Sequence, residues 1–268
     1  MRRITDILNS LQNLLRNRAQ EQYPLKEEHR CLICCDRGVI LEGEEARICP
    51  CVKQRYLERR YTYANITPEI SSYTFEGFSL DYYQGEHRER AARVLQGARQ
   101  FVQDYLKNKH IPGLLLTGDV GSGKTYLAGA IANYLLQKGV QVLFLVVPDF
   151  LDELRSTYHR GMPGEAVEND DVALLNGARR VEVLVLDDLG VHNYTSWTCN
   201  KLYSLLNYRL NYQLPVIITT NLDLSEIEKY LGKRTTSRIV QMCNVYRLTV
   251  EDDIRYQKSR EKRKNLES

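Results

Sequence analysis

Five short apolar runs punctuate the larger, C-terminal part of this sequence, and helical periodicity fills the gaps between them. The runs are residues 114–117, 141–147, 183–188, 215–221 and 245–248. Each is nearly continuous in Leu, Ile and Val instead of alternating with polar residues, which is the pattern of a strand buried on both faces. Between the runs, apolar residues return every three or four positions. Residues 126–137 carry Leu127, Ala130, Ile131, Tyr134 and Leu135 at that spacing. Residues 86–109 carry Ala91, Val94, Leu95, Ala98, Phe101, Val102 and Tyr105, then pass through Pro112-Gly113 into the first run. Shorter helices are predicted over 148–158, 172–178 and 197–212, with Gly161 and Gly164 breaking the first of them. A charged helix ends the chain and is too short for a separate helical lid. Strands alternating with helices predict an α/β domain: a five-stranded parallel sheet covered by helices, with any ligand at the carboxyl ends of the strands.

The first part of the chain has a different texture. Ile4, Ile7, Leu8, Leu11, Leu14 and Leu15 recur at helical spacing among Arg2, Arg3, Arg16 and Arg18. That is an amphipathic helix, which either packs on a small domain of its own or docks on a partner protein. Residues 52–63 form a basic, tyrosine-rich helix (Lys53, Arg55, Arg59, Arg60) that reads as a solvated face. Residues 66–72 read as a linker, so the expected division is an N-terminal domain 1–66 and a second domain 67–268.

A length of 268 residues accommodates one ordinary domain and an appendage. The formal charge of +3 gives no global polycation, so nucleic-acid binding would have to come from local patches. No apolar stretch reaches membrane-spanning length and no secretory segment opens the chain. Met1-Arg2-Arg3 has the flavour of an organelle presequence, but Asp6 and the lack of a Ser-rich stretch argue against one. A cytoplasmic protein is expected, with no membrane partner.

Five of the seven cysteines fall between Cys31 and Cys51, too uneven for a disulfide framework. Two close thiol pairs, Cys31 with Cys34 and Cys49 with Cys51, have the spacing of a tetrahedral zinc site. The segment between them, residues 36–48, would form a small hairpin bending at Gly38 and Gly43. Cys35 is left as a spare thiol, and His29 is a weaker substitute ligand. Four thiolates leave no open coordination position, so the metal would be structural. Free buried cysteines and a 2Fe–2S cluster are the other readings of the same residues.

The strongest chemical signal is Gly118-Asp119-Val120-Gly121-Ser122-Gly123-Lys124-Thr125, a G-x-x-x-x-G-K-T loop between the first strand and its helix. Glycines let backbone N–H groups turn inward around a phosphate, and the helix N-terminus adds partial positive charge. Lys124 would reach the β- and γ-phosphates, and Thr125 would offer a hydroxyl to Mg²⁺. The second signal is Val183-Leu184-Val185-Leu186-Asp187-Asp188, a buried strand delivering acids beside that loop. Asp187 is placed to hold the Mg²⁺ shell, and Asp188 to orient or deprotonate an attacking water. Asn221, at the tip of the fourth strand, is placed to touch the γ-phosphate or its water. Arg234 and Arg238 lie four apart, hence on one helical face, where a guanidinium can be offered to a neighbouring subunit's γ-phosphate.

Thr74-Phe75-Glu76-Gly77-Phe78, GDVGSGKT, LVLDDLG, IITTNL and RTTSRI, in that order over residues 72 to 250, resemble the bacterial replicative-helicase loaders of the DnaC/DnaI type, AAA+ ATPases related to the replication initiator. The resemblance covers the whole second domain, and the cysteine cluster with its N-terminal helix is similar to the zinc-bearing, helicase-binding region of the same loaders. It implies an AAA+ P-loop NTPase core and ATP, Mg²⁺ and Zn²⁺ as cofactors. Lys124 and Thr125 match Walker A, Asp187 and Asp188 match Walker B, Asn221 matches sensor 1, and Arg238, or Arg234 on the same face, matches the arginine finger. Asp188 stands where a Walker B glutamate is usual, one methylene shorter, which fits slow, switch-like hydrolysis. The resemblance also implies single-stranded DNA binding between the second strand and Walker B. That window holds Phe150, Arg155, Tyr158, His159 and Arg160, cations beside aromatics; Phe150 as a core residue and Arg155 as a surface charge are the plainer readings.

Three functions follow as expectations. The first is an ATP-dependent loader that grips the hexameric replicative DNA helicase through its N-terminal domain, self-associates through its ATPase domain and works on single-stranded DNA. The second is a transposition-accessory ATPase of the IstB type, whose members generally lack a cysteine cluster at this position. The third is a zinc-dependent adaptor whose ATP site only binds.

Overall fold

A computed structural model describes residues 31–42, 45–158, 170–190 and 194–267. The predicted helix at residues 4–15, His29, Gly43, His159, Arg160, Gly161 and Gly164 lie outside the described residues. The chain divides into two compact units, one ending at Arg55 and the other spanning Tyr56–Ser268. Among the described residues no helix is long and apolar enough to cross a membrane.

In the first unit, β1 (Val39–Glu42) and β2 (Glu45–Ile48) pair antiparallel with Val39 opposite Ile48, the hairpin expected between the two thiol pairs. Helix α1 (Pro50–Tyr63) follows directly, and the division between units falls inside it. Among the described residues, burial here is concentrated on Cys34 and Cys49, whereas Leu32, Ile33 and Ile48 are 85%, 68% and 76% exposed. The hairpin itself therefore buries too little apolar surface to be stable on that account alone.

The second unit is a parallel α/β sandwich. Short helix α2 (Pro68–Ser71) and a 3₁₀ turn at Leu80–Tyr82 precede the long helix α3 (Gly85–Lys107). Strand β3 (Gly113–Gly118) then leads into α4 (Lys124–Gln137), β4 (Val142–Val146) into α5 (Val147–Tyr158) and α6 (Asp170–Arg180), and β5 (Val183–Asp187) into α7 (Ser196–Asn211). After β6 (Val216–Thr220) come α8 (Leu224–Leu231) and α9 (Lys233–Met242), then β7 (Cys243–Leu248) and α10 (Ile254–Glu267). The strand order is β4-β5-β6-β3-β7, all pairs parallel, which puts the loop after β3 near the middle of the sheet's carboxyl edge.

Alternate residues of the same strands feed two separate cores. Leu114, Leu116, Val183 and Val185 join one with α3 and α4; Leu115, Leu184 and Leu186 join the other with α5 and α7. This is why the strands read as unbroken apolar runs: both faces are covered. Within the second core, Arg209 of α7 is fully buried. Its guanidinium donates to the carbonyls of Ala178, Val181 and Pro215 at 2.9, 3.0 and 2.6 Å, tying the end of α6 to the starts of β5 and β6. Burial depresses its pKa to about 9.

The sequence-based division at 66/67 differs from the observed one at 55/56. The stretch read as a linker is packed into the second unit. Ala64 and Ile70 are buried, Asn65 donates its side-chain amide to the Phe144 carbonyl at 3.1 Å, and Thr67 caps α2 by accepting from the Ile70 N–H. Turn residues at 66–72 suggested a boundary, but Thr67 caps α2 and Ile70 docks instead. Helix α8 had no counterpart in the sequence-based reading, although Asp223 and Glu226 form a reciprocal capping box at its start.

Candidate nucleotide-binding site

Strand β3 ends at Gly118, and the loop that follows folds back over the sheet edge. A Cβ on Gly118 would stand 1.9 Å from the Leu248 carbonyl oxygen, so only glycine lets the loop leave the strand here. Gly123 adopts φ +90° and sits at the N-cap of α4, aiming the first free N–H groups of that helix at the space the loop encloses. Lys124 is buried, its Nζ donating to the carbonyls of Gly118 and Asp119 at 2.9 and 2.6 Å. Burial lowers its pKa to about 8, against the opposing pull of Asp119, Asp188 and Asp187.

Across the cavity, β5 delivers Asp187 with 6% of its surface exposed. The Thr219 hydroxyl of β6 donates to Asp187 Oδ1 at 2.6 Å and accepts from the Asp188 N–H at 2.9 Å, so one threonine orients both acids. Burial raises the Asp187 pKa, while the hydroxyls of Thr219 and Thr125 pull it the other way. Asp188 holds φ +60°, a left-handed conformation that turns the chain sharply as it leaves the strand. The structure therefore brings Val120, Gly121, Ser122, Gly123, Lys124, Thr125, Asp187, Asp188 and Asn221 into one cavity of about 670 Å³. That size suits a nucleoside triphosphate. Gly118 and Asp119 line the adjoining groove, where the Asp119 carboxylate accepts from the Val250 N–H at 3.1 Å. Thr125 and Asp187, together with a nucleotide's phosphate oxygens, would form a hard, all-oxygen donor set of the kind Mg²⁺ takes.

Other residues of this cavity escaped the sequence-based reading. Glu69 and Tyr73 enter from α2 and the segment after it, with the Tyr73 ring stacked on Tyr126 at 4.4 Å between centroids. Arg255 and Lys258 enter from α10, adding two cations to the lining. The i,i+3 spacing of Arg255 and Lys258 was visible, but nothing local in a charged terminal helix says that it folds back onto the loop.

Arg234 and Arg238 share helix α9 and stay outside the lining of this chain's own cavity. Arg234 is exposed; Arg238 is half-buried and donates to Gln241 Oε1 at 3.1 Å. Of the residues proposed to meet DNA, Phe150 is corrected: it is 3% exposed and sits in the core beneath α5, where its ring cannot stack on a base. The apolar periodicity of α5, not nucleic acid, accounts for it. Arg155 is half-buried and pairs with Asp152 at 3.8 Å, one turn away. Tyr158 ends α5, and Arg160 lies outside the described residues.

In the first unit the Sγ atoms of Cys31, Cys34, Cys49 and Cys51 all lie within 4.8 Å of one another. The pairs Cys31–Cys49 and Cys34–Cys51 are 3.8 and 3.4 Å apart. A tetrahedron with Zn–S bonds of about 2.3 Å has edges near ~3.8 Å, so the four thiols fit zinc. Gly38 N–H donates to Cys34 Sγ at 3.3 Å and Arg55 Nη2 to Cys51 Sγ at 2.9 Å, the kind of donors that steady metal-bound thiolates. Cys35 is exposed and takes no part in the cluster.

Comparison with known proteins agrees with this geometry. The model of the family described as IstB-like ATP binding protein matches residues 53–262. The replicative helicase loader DnaC of Escherichia coli K12 is 27% identical over 183 residues, covering 68% of this chain and 69% of that protein. The phage-like element PBSX protein XkdC of Bacillus subtilis is 26% identical over 237 residues, covering 82% of each. Among solved structures, that of DnaI superposes with a TM-score of 0.56 at 27% identity, covering 73% of this chain and 99% of that one.

Proposed function

The chain belongs to the IstB-like ATP-binding family, and from that premise we propose that it is an ATP-dependent loader. It would bind a hexameric replicative DNA helicase and help place it on single-stranded DNA. The observation that carries the proposal is the presence, in one chain, of a cavity lined by the glycine-rich loop, Lys124 and two acids and of a separate four-cysteine unit. The likeness to DnaC over two thirds of both proteins supports the same reading. An IstB-type role in transposition leaves the cysteine unit without a purpose, and the adaptor reading leaves Asp188, placed to act on the attacking water, without one.

In this reading the loop N–H groups and Lys124 hold the β- and γ-phosphates. Magnesium, when bound to Thr125 and Asp187, supplies charge neutralisation across those phosphates. Asp188 accepts a proton from the attacking water or orients it, and Asn221 fixes that water against the γ-phosphate. Arg238 reaches the γ-phosphate of the neighbouring copy, with Arg234 on the same face as the alternative. The four cysteines hold zinc and shape the helicase-binding surface, in the cytoplasm. ATP acts as a switch: the bound and hydrolysed states differ in contacts at the shared site, and self-association follows the γ-phosphate.

Arg238→Ala tests the trans assignment. It should leave nucleotide affinity within about twofold, because Arg238 lies outside its own cavity. It should also remove at least about tenfold of single-strand-stimulated turnover, a small share of the ~10³ or more that such guanidinium groups can supply. Single-turnover hydrolysis with and without single-stranded DNA reads both. Wild-type turnover in the variant rejects the finger, and no hydrolysis by the wild-type protein under either condition favours the adaptor.

A further inference from the structure

The Thr74–Phe78 motif and Tyr83 lie outside the lining of the nucleotide cavity. The segment lies against the outer side of the phosphate loop. Thr74 Oγ1 accepts from the Gly77 N–H at 3.1 Å, and a Cβ on Gly77 would meet the Tyr126 hydroxyl at 2.3 Å. This tight turn sends Phe78 and Tyr83 beneath Gly123, where an added Cβ would stand 3.0 Å from the Tyr83 hydroxyl and 3.1 Å from the Phe78 ring. Tyr83 is 2% exposed and donates to the Ser122 carbonyl at 2.7 Å.

A phosphate nest works only if the loop's carbonyls face away from the anion while its N–H groups face toward it. In this structure five of the loop carbonyls are each held by a donor. Lys124 holds those of Gly118 and Asp119, the Ile254 N–H holds that of Gly121 at 3.2 Å, and the Leu127 N–H holds that of Gly123 at 3.0 Å. Ser122 lies directly before the helix, and its carbonyl is held by the Tyr83 hydroxyl. Without that donor the carbonyl is buried and unpaired, a state relieved by turning the peptide so that its oxygen points into the phosphate space. We propose that Tyr83 is a positioning residue that keeps the 122–123 peptide in its phosphate-binding orientation before nucleotide arrives. The inference rests on the ATP-binding reading of the cavity and adds to it a group that never touches the nucleotide.

The test is Tyr83→Phe, which removes one hydroxyl and keeps the ring, beside Phe78→Leu, which loosens the packing and keeps the hydroxyl. Dissociation constants for ATP and ADP are measured by fluorescence titration on protein shown to be folded by circular dichroism. Tyr83→Phe should weaken both nucleotides about tenfold, as expected for one buried carbonyl left unpaired. The KM for ATP should rise in step, with kcat unchanged at saturation, and amide exchange in the loop should quicken in the nucleotide-free protein. Phe78→Leu should bind within about twofold of wild type. Tyr83→Phe binding like wild type, or Phe78→Leu weakening it equally, overturns the proposal. A wild-type protein that binds neither nucleotide overturns the ATP reading instead.

Discussion

Replacing Lys124 with alanine abolishes nucleotide binding at ordinary concentrations, raising the dissociation constant for ATP by about a hundred- to a thousandfold. The size follows from what the side chain does. Its ammonium is almost fully buried and already desolvated, held by two loop carbonyls that it exchanges for phosphate oxygens. Truncating one member of a buried, hydrogen-bonded charge pair costs about 2–5 kcal/mol, because the partner charge is left uncompensated. The same burial makes binding depend on pH. The free lysine titrates at about 8, lowered by burial. Phosphates hold the ammonium, so the bound form titrates higher and binding takes up a proton above that pH. Affinity is therefore flat below pH 8 and falls by up to about tenfold per unit above it. Folding has the opposite dependence. The folded pKa lies below the unfolded value of 10.5, so the unfolded chain binds more protons between about 8 and 10.5, and this group's contribution to stability rises over that window. Titration calorimetry at several pH values reads the affinity. A Lys124→Ala protein that binds within threefold of wild type rules this lysine out as the phosphate ligand.

Stripping the metal from the first unit has the second-largest effect. The purified protein should carry one zinc per chain, and a strong chelator should remove it with loss of protection of the 31–55 backbone from amide exchange. The second unit should be unaffected. Structural zinc contributes about 10–16 kcal/mol in small metal domains, far beyond what the described hairpin of two short strands supplies. Among the described residues, three of the large apolar side chains around the cluster face water, so the hairpin's own apolar burial is a weak substitute for the ion. Cys34→Ser, which deletes a buried ligand, should reproduce the loss. Elemental analysis showing no metal, or exchange unchanged by the chelator, contradicts the zinc assignment; iron with visible absorption replaces it with a cluster.

The parts of the site legible in the sequence are those whose chemistry is local. A loop that wraps phosphate needs its glycines, lysine and threonine within eight consecutive residues, so it announces itself. Asp187 was readable because an acid ending an apolar run is hard to explain otherwise. The thiol pairs were readable from spacing, and their four sulfur atoms do converge. What stayed hidden depends on distant parts of the chain meeting. Thr219 looked like an ordinary strand residue until β6 fell beside β5 and its hydroxyl found both acids. Arg255, Lys258 and the Tyr73–Tyr126 stack reach the cavity only because both ends of the second unit close over the loop. Phe150 was misassigned because an aromatic near cations reads alike whether it faces a base or a core. The misplaced division has a similar origin: Ala64 and Ile70 are buried by partners far away in sequence.

The central claim is that one nucleotide site governs attachment to a ring helicase, and native mass spectrometry tests it most directly. The protein is mixed with the hexameric replicative helicase of the organism that carries it, in ATP, in ADP and with Lys124→Ala in ATP. The account predicts a helicase–loader assembly in ATP that is depleted in ADP and in the variant. Free hexamer and free loader under all three conditions, or the same assembly in all three, would contradict it.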